Sequence, residues 1–241
     1  MSSEKIKILI ADDHAIVREG LKQIVAEEKD IVVSGEAENS EKMMELLQKG
    51  KWNLIVLDIN MPGKSGLEAL KDIKLLYPDL PVLILSMFSE DQYGIRAIKA
   101  GASGYLKKVS APTELVTAIR KIVAGGKYIN PVLAEKLADK FGETEKELPH
   151  DKLSDREYQI MCNIALGKSA EEIAQDLSIS INTVYTYRNR ILEKMSMKSN
   201  VELTQYVLPG IPMFTTSPSF TTISPSLSTY DALVSASSSA T

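Results

Sequence analysis

Asn53-Leu-Ile-Val-Leu-Asp-Ile-Asn-Met-Pro-Gly63 is a short apolar run that stops at an aspartate and then enters a stiff turn. Three other runs share its form. Lys7-Ile-Leu-Ile-Ala11 leads into Asp12-Asp13, Val82-Leu-Ile-Leu85 into Ser86, and Gly104-Tyr-Leu-Lys-Lys108 ends in lysine. Short apolar runs that alternate with helical patterns read as buried parallel strands joined by crossover helices. In such sheets ligands gather beyond the carboxyl ends of the strands. The pattern therefore collects three carboxylates, a hydroxyl and an ammonium at one sheet edge. That combination suits a cation beside a carboxylate able to accept a phosphoryl group.

The spacing predicts strands near 6–11, 31–37, 53–58, 81–86 and 103–107, with helices near 14–27, 40–49, 65–76, 90–100 and 112–124. Five βα units of this size make one doubly wound domain, assigned to residues 1–126. Gly125-Gly126 ends the pattern, and 127–149 reads as a linker with a short helix near Ala134 to Phe141. From Leu153 the texture turns helical without strands. Ser154 with Glu157 and Ser169 with Glu172 form two capping-box patterns, and a third helix starts at Ser180. Two short helices joined by Leu177-Ser-Ile-Ser180 predict a helix-turn-helix within a small all-α domain over 150–208. Residues 209–241 are rich in Ser and Thr, carry the lone charge Asp231, and read as a disordered tail.

Composition narrows the function classes. The chain has 241 residues, a net charge of -4 and one cysteine, so any DNA-binding surface is local and no internal disulfide forms. Cys162 falls in an apolar helical pattern and is expected to pack. Neither a membrane span nor the apolar segment of a secretory signal is seen, which predicts a cytoplasmic protein.

At the sheet edge, a hard cation such as Mg²⁺ wants oxygen ligands, and Asp13, Asp58 and the backbone carbonyl of Asn60 can supply them. The Lys108 ammonium would neutralise charge on a transferring phosphoryl group, and Ser86 would donate a hydrogen bond to it. His14 is expected to fix the loop after the first strand and not to bind metal. In the helical domain, Ile181, Val184, Ile191, Leu192 and Met195 lie on one side of their helix, and Asn182, Thr186, Asn189, Arg190 and Glu193 lie opposite. Amides, a hydroxyl and arginine facing outward suit base edges in a major groove. Lys194, Lys198 and Lys168 are expected at phosphates. Arg188, nearer the apolar side, must snorkel or pair.

Asp12-Asp13-His14, Asp58-Ile-Asn-Met-Pro-Gly63, Ser86 and Gly104-Tyr-Leu-Lys-Lys108 resemble the receiver domain of bacterial two-component response regulators, over residues 5–125. The resemblance implies a flavodoxin-like sheet of order 2-1-3-4-5. It makes Asp58 the acceptor of a phosphoryl group from a histidine kinase, with Mg²⁺ on Asp13, Asp58 and the Asn60 carbonyl, and Asp12 in the outer shell. It also implies Ser86 and Tyr105 as a switch pair and Lys108, not Lys107, as the phosphate-contacting lysine. Val109 stands where many receivers have proline.

Leu153-Ser-Asp-Arg-Glu157, Ala165-Leu-Gly-Lys-Ser169 and Leu177-Ser-Ile-Ser-Ile-Asn-Thr-Val184 are similar to the four-helix LuxR-type domain of NarL and FixJ regulators. This likeness implies a recognition helix over 181–196, with Tyr185, Thr186 and Asn189 toward bases and Tyr187, Arg188 and Arg190 near the backbone; Asn182 and Thr183 are expected among the DNA-binding residues as well. Tyr185 replaces a common lysine, Glu193 often has a basic counterpart, and Pro209 cuts short the last helix, where dimers of this family commonly form. The implied function is a transcription regulator, not an enzyme beyond its own phosphorylation and dephosphorylation at Asp58, that dimerises on double-stranded DNA when phosphorylated. The unphosphorylated receiver is expected to mask or misplace the recognition helix. The alternative is a phosphorelay or protein-interaction regulator whose helical domain does not bind DNA.

Overall fold

β3 (Leu54–Asp58) and β4 (Val82–Ser86) are buried along their whole length, which is why their sequences are uninterrupted apolar runs. In the computed structural model, which describes residues 5–88, 90–142 and 148–207, they form the centre of a parallel sheet. β1 (Ile6–Ala11), β2 (Ile31–Ala37) and β5 (Gly104–Lys107) complete it in the order β2-β1-β3-β4-β5. β2, at one edge, alternates buried and exposed residues because part of one face meets solvent.

α1 (Ala15–Ala26) and α5 (Ala111–Val123) cover one face through Leu21, Val25, Leu115, Ala118, Ile119 and Ile122. α2 (Ser40–Lys49), α3 (Gly66–Leu76) and α4 (Glu90–Lys99) cover the other. The bounds of these elements fall within one residue of the sequence expectation. Sheet order reverses between β1 and β3, the switch point at which doubly wound sheets form their crevice.

The segment expected to link two domains is largely built into the first. Tyr128 extends the sheet, its N–H donating to Ser103 and its carbonyl accepting from Tyr105. α6 (Pro131–Gly142) starts three residues earlier than predicted, at a proline suited to a first turn. Leu133 of this helix is fully buried against Gly94 of α4, where a Cβ would meet it at 2.6 Å. Residues 143–147 of that segment, and the Ser/Thr-rich stretch with Pro209, lie outside the described residues.

α7 (Asp155–Ala165), α8 (Ala170–Asp176), α9 (Ile181–Met195) and α10 (Asn200–Val207) form the helical module. Both predicted capping boxes are present, at Ser154/Glu157 and Ser169/Glu172, and Ser180 accepts from the Thr183 N–H. Ser178 adopts a left-handed φ of 51° in the turn before α9. The apolar core runs on from the α2–α4 face of the sheet into Tyr158, Ile160, Cys162, Ile191 and Leu203 without a break. Every residue of α7 is buried, including Asp155, Arg156, Glu157, Gln159 and Asn163. No helix among the described residues is long and apolar enough to cross a membrane.

Candidate functional site

Asp12 follows β1 directly, and its side chain is 1% exposed; Asp58 closes β3 and is 2% exposed. Their strands are neighbours with Ala11 opposite Leu57, so both carboxylates emerge at the same edge. Asp12, Asp13, Asp58 and His14 each offer a ligand atom, all within 4.8 Å of one another. His14 lies on the outside, with Nδ1 2.7 Å from Asp13 Oδ1 and its side chain 61% exposed. Its backbone N–H donates to Asp12 Oδ1, consistent with a loop-fixing role.

Lys108 lies across the site. Its Nζ is 2.7 Å from Asp58 Oδ2 and 2.7 Å from Asp12 Oδ2. The contact to Asp58 is a well-formed hydrogen bond. Asp12 Oδ2 is met by the same ammonium, and Asp13 Oδ1 by His14 Nδ1; among the described residues neither oxygen has a further hydrogen-bond partner. Lys107 points elsewhere and pairs with Glu90 at 3.2 Å, as strand alternation requires. The Lys108–Val109 peptide is trans, at the start of a 3₁₀ turn over Lys108–Ser110.

Electrostatics follow from this crowding. Burial pushes the Asp58 carboxyl up to about 6, and Asp12 adds to the rise, while Lys108 opposes it. Burial alone would lower the Lys108 ammonium, but Asp58 and Asp12 outweigh that and hold it above its ordinary value. The Asn60 N–H donates to Asp58 Oδ1 at 3.2 Å. Gly66, the first residue of α3, backs this loop: a Cβ there would sit 2.1 Å from the Asp58 carbonyl oxygen. Sequence reasoning passed over Gly66, because nothing local distinguishes a glycine in contact with a neighbouring backbone.

Ser86 and Tyr105 are both buried and meet at Phe88. The Phe88 N–H donates to Ser86 Oγ at 3.1 Å, and the Tyr105 hydroxyl donates to the Phe88 carbonyl at 3.1 Å. Burial holds the Tyr105 phenol far above its usual range, so it remains a donor.

On α9, Asn182, Tyr185, Thr186, Asn189, Arg190 and Glu193 are exposed on one face, while Val184, Ile191 and Met195 are buried opposite. Two members of the expected apolar side deviate. Ile181 is 40% exposed because, as the first residue of the helix, it projects past the packed turn, and Leu192 is half-buried. Thr183 has its hydroxyl 2.8 Å from Ser180 Oγ, Thr186 donates to the Asn182 carbonyl, and Tyr187 is half-buried against the core. Arg188 is paired through Nε to Asn200 Oδ1 at 2.7 Å. The three lysines expected at phosphates differ. Lys198 is exposed, whereas Lys194 pairs with buried Glu157 at 2.7 Å and Lys168 with Asp176 at 2.6 Å.

Residues 8–120 match the response regulator receiver domain, and residues 151–207 match the bacterial regulatory proteins of the luxR family. The chain is 39% identical over 199 residues to the response regulator GacA of Pseudomonas aeruginosa, spanning 82% of this chain and 93% of that protein. This chain belongs to the NarL/FixJ family of response regulators. Response regulator UvrY of Escherichia coli is 37% identical over 204 residues, spanning 84% of this chain and 94% of that one. Among solved structures, an RcsB response regulator of Salmonella typhimurium aligns with a TM-score of 0.62 and 25% identity, over 85% of this chain and 98% of its own. This response regulator therefore joins a receiver to a LuxR-type DNA-binding domain, and it is not an enzyme of the ordinary kind.

Proposed function

We propose that this response regulator is a transcription factor switched by phosphorylation of Asp58, and that the observation carrying the proposal is Lys108 Nζ at 2.7 Å from Asp58 Oδ2 inside a ring of three carboxylates. Asp58 Oδ attacks the phosphorus of a phosphohistidine on a histidine kinase. The P–N bond breaks, the imidazole leaves, and an acyl phosphate forms on the aspartate; water later cleaves it. Lys108 exchanges its contact with Asp58 for one with the phosphoryl oxygens, and Ser86 turns its hydroxyl toward them.

The residues fit Mg²⁺. Three carboxylates converge, and among the described residues Asp12 Oδ2 and Asp13 Oδ1 have no hydrogen-bond partner besides the Lys108 and His14 nitrogens 2.7 Å away, which leaves lone pairs for a cation. Asp13, Asp58 and the Asn60 carbonyl would hold the ion, with Asp12 behind them, and the bound ion would offset negative charge on the transferring group. The same roles extend to the helical domain. Asn182, Thr183, Tyr185, Thr186 and Asn189 read base edges of double-stranded DNA, and Tyr187, Arg188, Arg190, Lys198, Lys194 and Lys168 lie toward phosphates. Lys194 and Lys168 must first trade their carboxylate partners for phosphates. An RcsB structure described as bound to promoter rprA in the presence of phosphomimetic BeF3-, and another described as two dimers on two DNAs, support the same behaviour and dimerisation here. Such a protein acts in the cytoplasm. The division into a receiver over 1–126, a connecting segment over 127–149 and a DNA-binding domain over 150–208 belongs to this reading.

Intact-mass measurement with acetyl phosphate and Mg²⁺, paired with sizing and DNA footprinting, tests it. The wild type gains one phosphoryl group, shifts toward a dimer and protects DNA more strongly, whereas Asp58→Asn does none of these. Phosphorylation that persists in Asp58→Asn would overturn the assignment.

A further inference from the structure

α7 carries a polar stripe, Arg156, Gln159 and Asn163, at spacings of three and four residues, yet Gln159 is 0% exposed and Asn163 1%. The stripe faces protein on both sides. Toward the recognition helix, Arg156 donates to the Leu177 carbonyl at 3.1 Å, in the turn that launches α9. Along α7 the same guanidinium donates to Gln159 Oε1 at 2.7 Å. Because arginine can only donate, this bond settles which way the Gln159 amide points. Its NH₂ therefore faces the receiver, where it donates to Asn60 Oδ1 at 2.9 Å and the Ile59 carbonyl at 3.3 Å. Asn60 in turn donates its backbone N–H to Asp58 Oδ1.

We propose that Gln159 is a positioning residue that couples the phosphoacceptor loop directly to the turn before the recognition helix, through the buried chain Asp58–Asn60–Gln159–Arg156–Leu177. This rests on the reading of Asp58 as the phosphoacceptor. The outward face of α9 is open to solvent in this arrangement, so the receiver does not control DNA binding by covering it. What the receiver holds is α7, and with it the orientation of the turn at Leu177. A half-satisfied buried network is unfavourable, so movement of Asn60 on phosphorylation weakens every later link. Linkage makes the effect reciprocal: releasing Gln159 must ease phosphorylation.

Cys162, the only cysteine in the chain, supplies the reporter. It is fully buried on α7 beside Tyr93 of α4 and Tyr158, and burial pushes its thiol up to about 12, so alkylation requires the two modules to part. The test is a double-mutant cycle in the full chain, with Gln159→Met and Asn60→Ala singly and together, read by iodoacetamide labelling and by phosphorylation rate from acetyl phosphate. Each single variant is expected to label about fivefold faster, the scale of one lost buried hydrogen bond, with the double variant no faster than either. Phosphorylation is expected to accelerate labelling in the wild type and to add little in Gln159→Met, which itself phosphorylates faster. If Gln159→Met does not fold, Gln159→Glu keeps the Arg156 partner, gives up the donor and serves in its place. Wild-type labelling in the glutamine variant, or additive single effects, overturns the proposal while leaving Asp58 phosphorylation intact. A wild type that never gains phosphoryl mass sinks the underlying reading and this proposal with it.

Discussion

Lys108 and Asp58 are joined at 2.7 Å between Nζ and Oδ2, and the same ammonium stands 2.7 Å from a second buried carboxylate, Asp12. One lysine, 10% exposed, thus compensates two carboxylates that are each 1% exposed. Removing a partner from such a pair leaves charge buried without compensation, at a cost of about 3 kcal/mol. Lys108→Met is therefore expected to lower stability by about that amount in metal-free buffer. Added Mg²⁺ is expected to restore more stability to the variant than it gives the wild type, because the cation replaces the missing positive charge. Urea unfolding with and without Mg²⁺ checks this, and equal Mg²⁺ responses in the two proteins would count against the carboxylate ring as a cation site.

Asn189 and Tyr185 are exposed on the face of α9 turned away from the core, and Tyr185 is 48% exposed. An amide that pairs with a base edge contributes about 1–3 kcal/mol of discrimination. Asn189→Ala is expected to weaken binding to the cognate site by about tenfold or more, with little change on random DNA. Tyr185→Lys adds a phosphate-pairing charge, so binding should tighten on all sequences and its salt dependence should steepen by about one unit. Titrations at several salt concentrations, on specific and random duplexes, separate the two effects.

The carboxylate cluster at the sheet edge was legible because its residues are tied to strand ends. Asp12, Asp58, Ser86 and Lys108 each follow an apolar run, and parallel pairing brings those ends together whatever the details of packing. Gln159 was not legible for the opposite reason. A polar stripe on an amphipathic helix ordinarily faces water, and only the docking of α7 on the β3–α3 loop turns Arg156 and Gln159 into a buried relay. The segment after Gly126 falls between these cases. Its helix was visible, but its attachment depends on Leu133 meeting a glycine, Gly94, whose significance appears only when α4 and α6 are side by side.

Glu157 closes the cap of α7 and also holds Lys194 of α9 at 2.7 Å. Its side chain is 4% exposed. Burial alone would raise its carboxyl, but the bonds from Lys194 and Ser154 outweigh burial and hold it below its ordinary value of 4.5. A depressed folded-state value means the unfolded chain takes up the proton first. The contribution is therefore complete above about pH 4.5 and is lost as pH falls through the lower folded value. Glu157→Gln is expected to be less stable than the wild type at pH 7, with the gap narrowing in acid, as chemical unfolding at pH 7, 4.5 and 3.5 would show. A gap that stays constant with pH would mean the carboxylate's charge contributes nothing.

Tyr93 is one contact through which α4 reaches the helical module, beside Arg96, whose guanidinium donates to the His150 and Leu153 carbonyls and lies over the Tyr158 ring. The Tyr93 ring stacks on Phe88 at 4.7 Å and meets Tyr158 edge-on at 5.0 Å. The hydroxyl, however, is buried with no oxygen or nitrogen partner among the described residues, and meets only the Cys162 thiol, a weak acceptor. Burial, with Cys162 and Tyr158 beside it, pushes the phenol well above its usual range, so it is neutral throughout the accessible pH range. A buried hydroxyl left with only a weak sulfur acceptor costs up to about 1–3 kcal/mol, and water satisfies it as soon as the interface parts. Tyr93→Phe removes that cost from the closed form while keeping both ring contacts. The variant should unfold at higher temperature and label more slowly at Cys162, and its phosphorylation should slow because opening has become harder. Loss of stability in Tyr93→Phe would instead show that the thiol contact satisfies the hydroxyl, and the closed interface would then carry no built-in bias toward opening at this position.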